Sequence, residues 1–455
     1  MTASTPWLGR ELHFVGIAGA GMSGLALVAQ SLGAKVTGSD QSVTNSYAVR
    51  LVQAGIKPFA GHAAGNVPPG AEVVVSTAIG PDNPERQIAR ARDQVELHRA
   101  ELLGELTQLK PTIAVAGTHG KTTTSSMVVH ALHACGLDPS YLIGGEVRTT
   151  GTNAAWGSGE WLVVEADESD RSLLRLSPHI AVLTNAEVDH HTVYASQREV
   201  DETFAEFLGK AKTAVVWDRP ELLALVPDGV EAVPFDAARP RLHGGGSSFK
   251  VDGLNVELVV PGAHNARNAA GALAACKAAA LDLAAAARSL HDFSGAGRRF
   301  ECIGTTPSGA PVVDDYAHHP TEVRATLDAA RTLEPSRLIA IFQPHLFSRT
   351  QHEAVAFGEA LALADVVVVC DVYPARERAE DYPGVSGRLV LDAIHGGVEA
   401  SWAQTLDDAY AQVRKLVREG DLVLTLGAGD VNSVGRRLIG VPGASLSTEE
   451  AAGGG

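Results

Sequence analysis

Short apolar runs that break off at a glycine, an acid or a histidine recur along the whole chain. Leu12–Ile17 runs into a glycine loop, Lys35–Gly38 ends at Asp40, and Glu72–Ser76 and the stretch around Val95–Leu97 follow. Ile113–Ala116, Trp161–Glu165 and His179–Asn185 repeat the pattern, as do Pro311–Tyr316, Arg337–Phe342, Ala364–Asp371 and Asp421–Leu426. Between them lie helix-compatible segments: Leu25–Leu32, Arg99–Leu109, Ser125–Leu132, an alanine-rich stretch over 269–288, and Thr321–Thr332. Strands alternating with helices predict an α/β protein with parallel sheets. In such sheets an acid or histidine at the carboxyl end of a strand faces the ligand crevice.

At 455 residues the chain is long enough for about three domains. The first boundary is expected near Lys110-Pro111 and the second at the glycine-flanked pair Gly295-Ala296-Gly297-Arg298-Arg299-Phe300, a hinge. The expected division is therefore 1–109, 110–296 and 297–455. Arg239–Gly253, rich in Pro, Gly and Ser, predicts a β-hairpin region without chemistry. Ser447–Gly455 reads as a frayed tail.

Charge and cysteine usage narrow the class. Lys+Arg 37 against Asp+Glu 53 leaves a net −16, which argues against nucleic acid or an anionic membrane as partner. Cys135, Cys276, Cys302 and Cys370 are far apart with no C-x-x-C, as expected of a reducing compartment. The N-terminus has no basic region followed by an apolar run, and the alanine-rich stretch is interrupted by Lys277 and Asp282. A cytoplasmic protein without membrane insertion is expected.

Two glycine loops carry the chemistry. Gly19-Ala20-Gly21-Met22-Ser23-Gly24 follows a strand and opens a helix, with Asp40 at about the ribose-binding spacing of a dinucleotide fold. On the residues alone it fits a nicotinamide dinucleotide, another diphosphate, or a tight turn. The second loop is Gly117-Thr118-His119-Gly120-Lys121-Thr122-Thr123. Val115 stands where the full phosphate-loop pattern has its first glycine, leaving G-x-x-G-K-T. Its backbone N–H groups and helix N-terminus suit phosphates, with Lys121 on the β- and γ-phosphates and Thr122 on Mg²⁺. The plain alternative is an ordinary strand-to-helix turn.

Glu165 and His190 end neighbouring apolar runs and are expected to face Lys121 and Thr122, offering ligands to Mg²⁺ or Mn²⁺. Otherwise Glu165 is a surface ion pair or helix cap, and His190 a hydrogen-bonded core histidine. Asn265 and Asn268, before the alanine-rich helix, can satisfy both edges of an adenine, or His264 and Asn265 can cap that helix. His318-His319 are too close in sequence to chelate one ion readily, which favours substrate contact or packing. The Gly427-Ala428-Gly429-Asp430 loop reads as a structural turn.

Taken in order, GIAGAGMSG, AGTHGKTTT, EADESD, TNAEVDHH, HNARN, GRRFE, DDYAHHP and FQPHLFSRT resemble the Mur ligase family of bacterial peptidoglycan synthesis, in its alanine-adding branch. The resemblance covers nearly the whole chain. It implies three domains: an N-terminal Rossmann-like domain for a UDP-sugar, a central ATPase domain, and a C-terminal Rossmann-like domain that closes over both. It also implies ATP-driven ligation of L-alanine to UDP-N-acetylmuramate through an acyl phosphate, by a monomer or weak homodimer. The first loop is thereby reassigned from NAD to UDP, with Gly19, Ala20, Gly21, Met22, Ser23 and Asp40 as its binding residues.

Carried over by position, Gly117–Thr123 would bind ATP, with Thr122, Glu165 and His190 as metal ligands. Asn268 and Asn265 would meet adenine, Arg299 with Arg298 beside it would reach the γ-phosphate, and Asp315 the ribose. Tyr316, His318 and Arg349 would hold the incoming alanine. Two positions depart from relatives. Later-acting siblings carry a carbamylated lysine where this chain has Phe204-Ala205-Glu206, so no carbamate is expected. Leu346 stands where many members have arginine, which weakens the assignment of the alanine contacts. The nearest rival is a recycling ligase that attaches a tripeptide to the same UDP-sugar.

Overall fold

A computed structural model describes residues 6–441. The first residues of the N-terminus and the tail Ser447–Gly455 fall outside that range. Three α/β units follow one another. In the first, five parallel strands lie in the order Phe59–Ala60, Lys35–Asp40, Glu11–Val15, Glu72–Val75, Glu96–His98. Gly38 is required where the two central strands meet, since a Cβ there would lie 2.5 Å from the Phe14 carbonyl oxygen. The helix Arg99–Leu109 spans the residues that its composition predicts. His98 and Glu101 close its N-terminus as a capping box.

The second sheet has seven strands, with Thr112–Ala116 between Leu162–Glu165 and Ile180–Leu183. Its pleat divides the core. Ile113 and Val115 pack on the side of the helices Lys121–Ala134 and Ala263–Ala278, while Ala114 and Ala116 join a core that contains Phe14, Leu25 and Leu102 of the first unit. The first two units thus share one apolar core.

Thr149–Asn153 reads as a turn, but only its first part is one. Thr152–Ala155 is a strand pairing antiparallel with Ser140–Val147 at the sheet edge. Buried Asn153 explains the misreading, because its amide donates to the carbonyls of Ala20 and Ile143 and so replaces an apolar contact with hydrogen bonds. Arg241–Leu258 forms a three-stranded antiparallel meander, as its turn residues predict.

The third sheet has six strands, ordered Glu301–Thr305, Pro311–Asp315, Asp421–Leu426, Arg337–Phe342, Val366–Cys370, Glu399–Ala403. Only the first runs antiparallel. The two edge strands Glu301–Thr305 and Glu399–Ala403 carry too few buried residues to stand out in the sequence. Among the described residues no helix is long and apolar enough to cross a membrane.

Candidate active site

The phosphate loop leaves the central strand at Ala116 and enters its helix at Lys121. Two glycines are obligatory. Gly117, at φ +130°, would drive a Cβ to 2.1 Å from Thr184 Oγ1, and Gly120, at φ +80°, to 2.5 Å from Asn268 Oδ1. Asn268 therefore abuts the loop itself. The Lys121 ammonium donates to the carbonyls of Gly117 and Thr118 at 2.7 and 3.1 Å and to Glu168 at 3.0 Å. Burial pushes Glu168 up to about 7, against the pull of Lys121. Glu168 lies within the EADESD stretch, yet nothing in the sequence singles it out as the lysine's partner.

Thr122 donates its hydroxyl to both oxygens of Glu165, at 3.1 and 3.0 Å, and Gly144 N–H donates to Glu165 Oε2 at 2.8 Å. A hydroxyl and a carboxylate in contact at the end of the loop form a hard-oxygen pair suited to Mg²⁺. His190 sits differently. It has φ +54°, its Nε2 is 3.8 Å from Glu168 Oε1 and 3.6 Å from Asp189 Oδ2, and its Nδ1 is buried without a partner. Burial lowers it to about 4, so the imidazole is neutral and keeps a lone pair for a cation.

A cavity of about 350 Å³ separates the central and C-terminal units. His119, Gly120, Asn265, Asn268, Trp217 and Arg267 line it from one side; Arg299, Asp315 and Glu322 line it from the other. Arg267 lies over the Trp217 ring at 3.9 Å. The helix after the cavity is capped by Gly262 and not by His264 or Asn265. Asn265 instead donates to the Pro261 carbonyl at 2.7 Å and accepts from Asn268 at 3.4 Å. Asp315, which burial pushes up to about 6, accepts from the N–H groups of Phe300 and Ala317.

The two hinge arginines part company. Arg299 is half-buried beside Glu322 at 3.3 Å, facing the cavity. Arg298, at φ +56°, turns away to Asp314 at 3.0 Å and to the carbonyls of Gly427 and Gly429, and it stacks over Tyr316. The closing glycine loop is a structural turn: a Cβ on Gly429 would meet Gln343 Oε1 at 2.4 Å.

His318 donates Nδ1–H to the Tyr316 carbonyl at 2.9 Å, which leaves Nε2 as an acceptor. Burial lowers it to about 3, so it is neutral. Its ring lies 5.3 Å from that of Tyr316 and 5.9 Å from that of His345. Arg349 is buried and forks onto Asp189 of the central unit at 2.9 and 3.0 Å, while its third nitrogen reaches the His345 carbonyl at 3.1 Å. Leu346 caps the helix Phe347–Leu361, which carries Arg349, at φ +71°, a strained conformation for a bulky side chain.

His319 groups with His119 and Glu187 and not with His318. Its ring lies 4.4 Å from that of His119, tilted by 39°, and His119, Glu187 and His319 bring ligand atoms within 4.8 Å of one another. Burial opposes a charge on His119, but Glu187 and Glu322 more than offset it and raise the imidazole to about 9. At neutral pH His119 is therefore charged, held between Glu187 and Glu322.

In the first unit Asp40 accepts from Ala18 N–H at 2.8 Å and from Ser42 N–H at 3.1 Å, fixing the glycine loop. Gly19 and Gly21 are open to solvent, whereas the Met22 and Ser23 side chains are buried and leave only backbone to a ligand. Arg99 approaches the loop, its Nη1 being 3.6 Å from a Cβ built on Gly21, and it is held by Asp167 and Asp170.

Three family descriptions match in succession: the Mur ligase family catalytic domain over 11–111, the Mur ligase middle domain over 115–276, and the Mur ligase glutamate ligase domain over 298–429. The chain is 43% identical over 447 residues to the UDP-N-acetylmuramate–L-alanine ligase of Rubrobacter xylanophilus, covering 94% of this chain and 99% of that one. It is 42% identical over 451 residues to the enzyme of that name from Streptomyces griseus, covering 94% and 96%. The chain belongs to the Mur ligase family.

Solved structures agree. The UDP-N-acetylmuramate–alanine ligase of Thermotoga maritima matches with a TM-score of 0.80 at 30% identity, covering 94% of this chain and 98% of that one. A murein peptide ligase from Psychrobacter arcticus shares the fold, with a TM-score of 0.71 at 24% identity and coverage of 94% and 98%. The Mur ligase assignment accounts for three α/β domains and removes the nicotinamide reading of the first glycine loop. Glu168, Glu187, Asp189 and Glu322 are the site's groups that motif reading passes over.

Proposed function

We propose that the chain joins L-alanine to the lactyl carboxylate of UDP-N-acetylmuramate, converting ATP to ADP and phosphate, in the making of peptidoglycan precursors for the cell wall. The observation that carries this is the shared cavity. The phosphate loop and the adenine-suited Asn265 and Asn268 face it from one domain, and Arg299 and Asp315 from another. A nucleotide bound there is gripped by two domains at once, which suits a reaction that must exclude water.

Domain limits of 1–109, 110–296 and 297–455 go with this reading, since each span holds one principal sheet. UDP would lie on Gly19, Ala20, Gly21, Met22 and Ser23, with Asp40 shaping the loop. ATP would lie on Gly117, Thr118, His119, Gly120, Lys121, Thr122 and Thr123. Thr122 and Glu165 fit Mg²⁺ through their paired oxygens, with His190 a further ligand from beyond Glu168. The cation supplies charge neutralisation between phosphate oxygens when bound.

Two anions meet when the lactyl carboxylate attacks the γ-phosphate. Lys121 and Arg299 offset that repulsion and hold the groups in line. ADP leaves, and the alanine amine then displaces phosphate from the acyl phosphate. His318 Nε2 can accept a hydrogen bond from the amine but is too weak a base at about 3 to take its proton. Tyr316 and Arg349 complete the wall on which alanine would rest. A monomer or a weak homodimer goes with this reading. The four free cysteines accord with a cytoplasmic setting.

Phosphate release is the test. With ATP, Mg²⁺ and UDP-N-acetylmuramate present, L-alanine should drive turnover while the tripeptide L-Ala-γ-D-Glu-meso-diaminopimelate does not. Release with the tripeptide alone would make this a recycling ligase instead.

A further inference from the structure

Glu322 lies on the first turn of the C-terminal helix Pro320–Arg331, and it is the point at which three parts of the site meet. Its Oε1 is 3.3 Å from Arg299 Nη1 and 3.5 Å from His119 Nδ1 of the phosphate loop. Its Oε2 accepts from His318 N–H at 3.0 Å and lies 3.3 Å from His318 Nδ1. Arg299 belongs to the hinge, His318 to the amino-acid side and His119 to the central domain. One buried carboxylate thus joins both domains and both ends of the reaction.

We propose that Glu322 is a positioning residue that couples closure of the C-terminal domain to the phosphate loop, holding Arg299 and His318 of its own domain in place and receiving His119 when the domains close. The inference rests on the ligase reading. Arg299 has a long side chain with many rotamers, and a fixed acceptor removes that freedom before the γ-phosphate arrives. Arg299 and His318 share the C-terminal domain with Glu322, whereas His119 reaches it only when the two domains are together, so closure brings the phosphate loop onto the carboxylate that already holds both. Glu187 supports the same contact from the central domain, accepting from Thr321 at 2.7 Å and lying 3.5 Å from His119. His119 is therefore faced by Glu187 and His319 as well as by Glu322.

The test is steady-state phosphate release by the full chain with ATP, Mg²⁺, UDP-N-acetylmuramate and L-alanine. The unaltered enzyme must first show alanine-dependent release; if it does not, the ligase reading fails and not this one. Glu322→Gln is expected to lower kcat by about 30-fold, the effect of one lost charge-assisted contact. Its KM for UDP-N-acetylmuramate, held by a remote domain, should stay within about twofold. Glu322→Asp should recover a large part of the loss. In a double-mutant cycle, His119→Gln combined with Glu322→Gln should fall little further than Glu322→Gln alone, because the His119 contact is already lost in that variant. Unchanged kcat in Glu322→Gln would overturn the proposal. So would losses that multiply in the double variant, or a uniform rise of all three KM values. If Glu322→Gln does not fold, the cycle is run with Glu322→Asp, and multiplying losses there overturn the proposal in the same way.

Discussion

Asp189 and Arg349 form a two-pronged ion pair across the boundary between the central and C-terminal domains, with Nε–Oδ1 at 2.9 Å and Nη2–Oδ2 at 3.0 Å. Both side chains are almost wholly buried. Removing one partner from a buried pair leaves an uncompensated charge and costs about 3–5 kcal/mol. Here that cost can be relieved by opening the domains and wetting the remaining charge. Asp189→Ala should therefore open the molecule, seen as a larger radius of gyration in X-ray scattering. The double change Asp189→Ala with Arg349→Ala should be more closed than either single one, since no charge is left buried. A scattering curve for Asp189→Ala that overlays that of the unaltered protein would refute the idea.

Among the described residues Glu165 hydrogen-bonds Thr122 and Gly144 N–H alone. Its loss should therefore leave the fold intact and act on cation binding. Glu165→Ala is expected to raise the Mg²⁺ concentration for half-maximal turnover by at least about tenfold, in line with the loss of a metal-ligand contact. A Mg²⁺ titration that matches the unaltered enzyme would count against Glu165 as a ligand.

How much of the fold and the site was legible in the sequence depended on the range of each interaction. The helix Arg99–Leu109 and the phosphate loop were legible because capping residues and glycines act within a few positions of themselves. The edge strand Thr152–Ala155 was not, because buried Asn153 takes its place through contacts with distant carbonyls. Arg298 and Arg299 look alike in sequence, yet positive φ at Arg298 sends one to the Gly427 loop and leaves the other at the cavity. The partners of the cationic groups were the least visible. Lys121 finds Glu168 at a separation of 47 residues, and Arg349 finds Asp189 at 160. No local pattern marks such pairs.

The docking of His119 should depend on pH in a defined direction. Its folded value, about 9, lies above the ordinary 6.5, so its contribution is complete below 6.5 and is lost as pH rises through about 9. Glu187 is held down to about 2 by His119 and Thr321 against its burial, so its share is present above 4.5 and is lost as pH falls through about 2. His264, His318 and His345, lowered by burial to about 4, 3 and 4, act in the opposite sense and lose their contribution as pH falls below 6.5. That acid loss is common to the unaltered protein and to His119→Gln, and it cancels in their difference. The Tm deficit of His119→Gln should be about 3 °C at pH 6 and should vanish near pH 10. A deficit that stays constant across that range would show that His119 docks without its charge.

Lys121→Ala separates phosphate chemistry from the rest of the enzyme. Among the described residues the ammonium hydrogen-bonds Gly117, Thr118 and Glu168. Truncation would leave Glu168 buried without its cation. Glu168 already sits at about 7, so the vacated carboxyl takes up a proton at neutral pH and the site need not unfold. Loss of the cation that meets the β- and γ-phosphates should lower turnover by at least about 1,000-fold, the scale of a transition-state charge contact in a dry site. UDP-N-acetylmuramate should still bind within about threefold of its usual affinity by calorimetry, because its loop lies in another domain. Turnover near that of the unaltered enzyme would remove Lys121 from the mechanism. Loss of UDP-sugar binding would mean that the two glycine loops do not serve separate ligands.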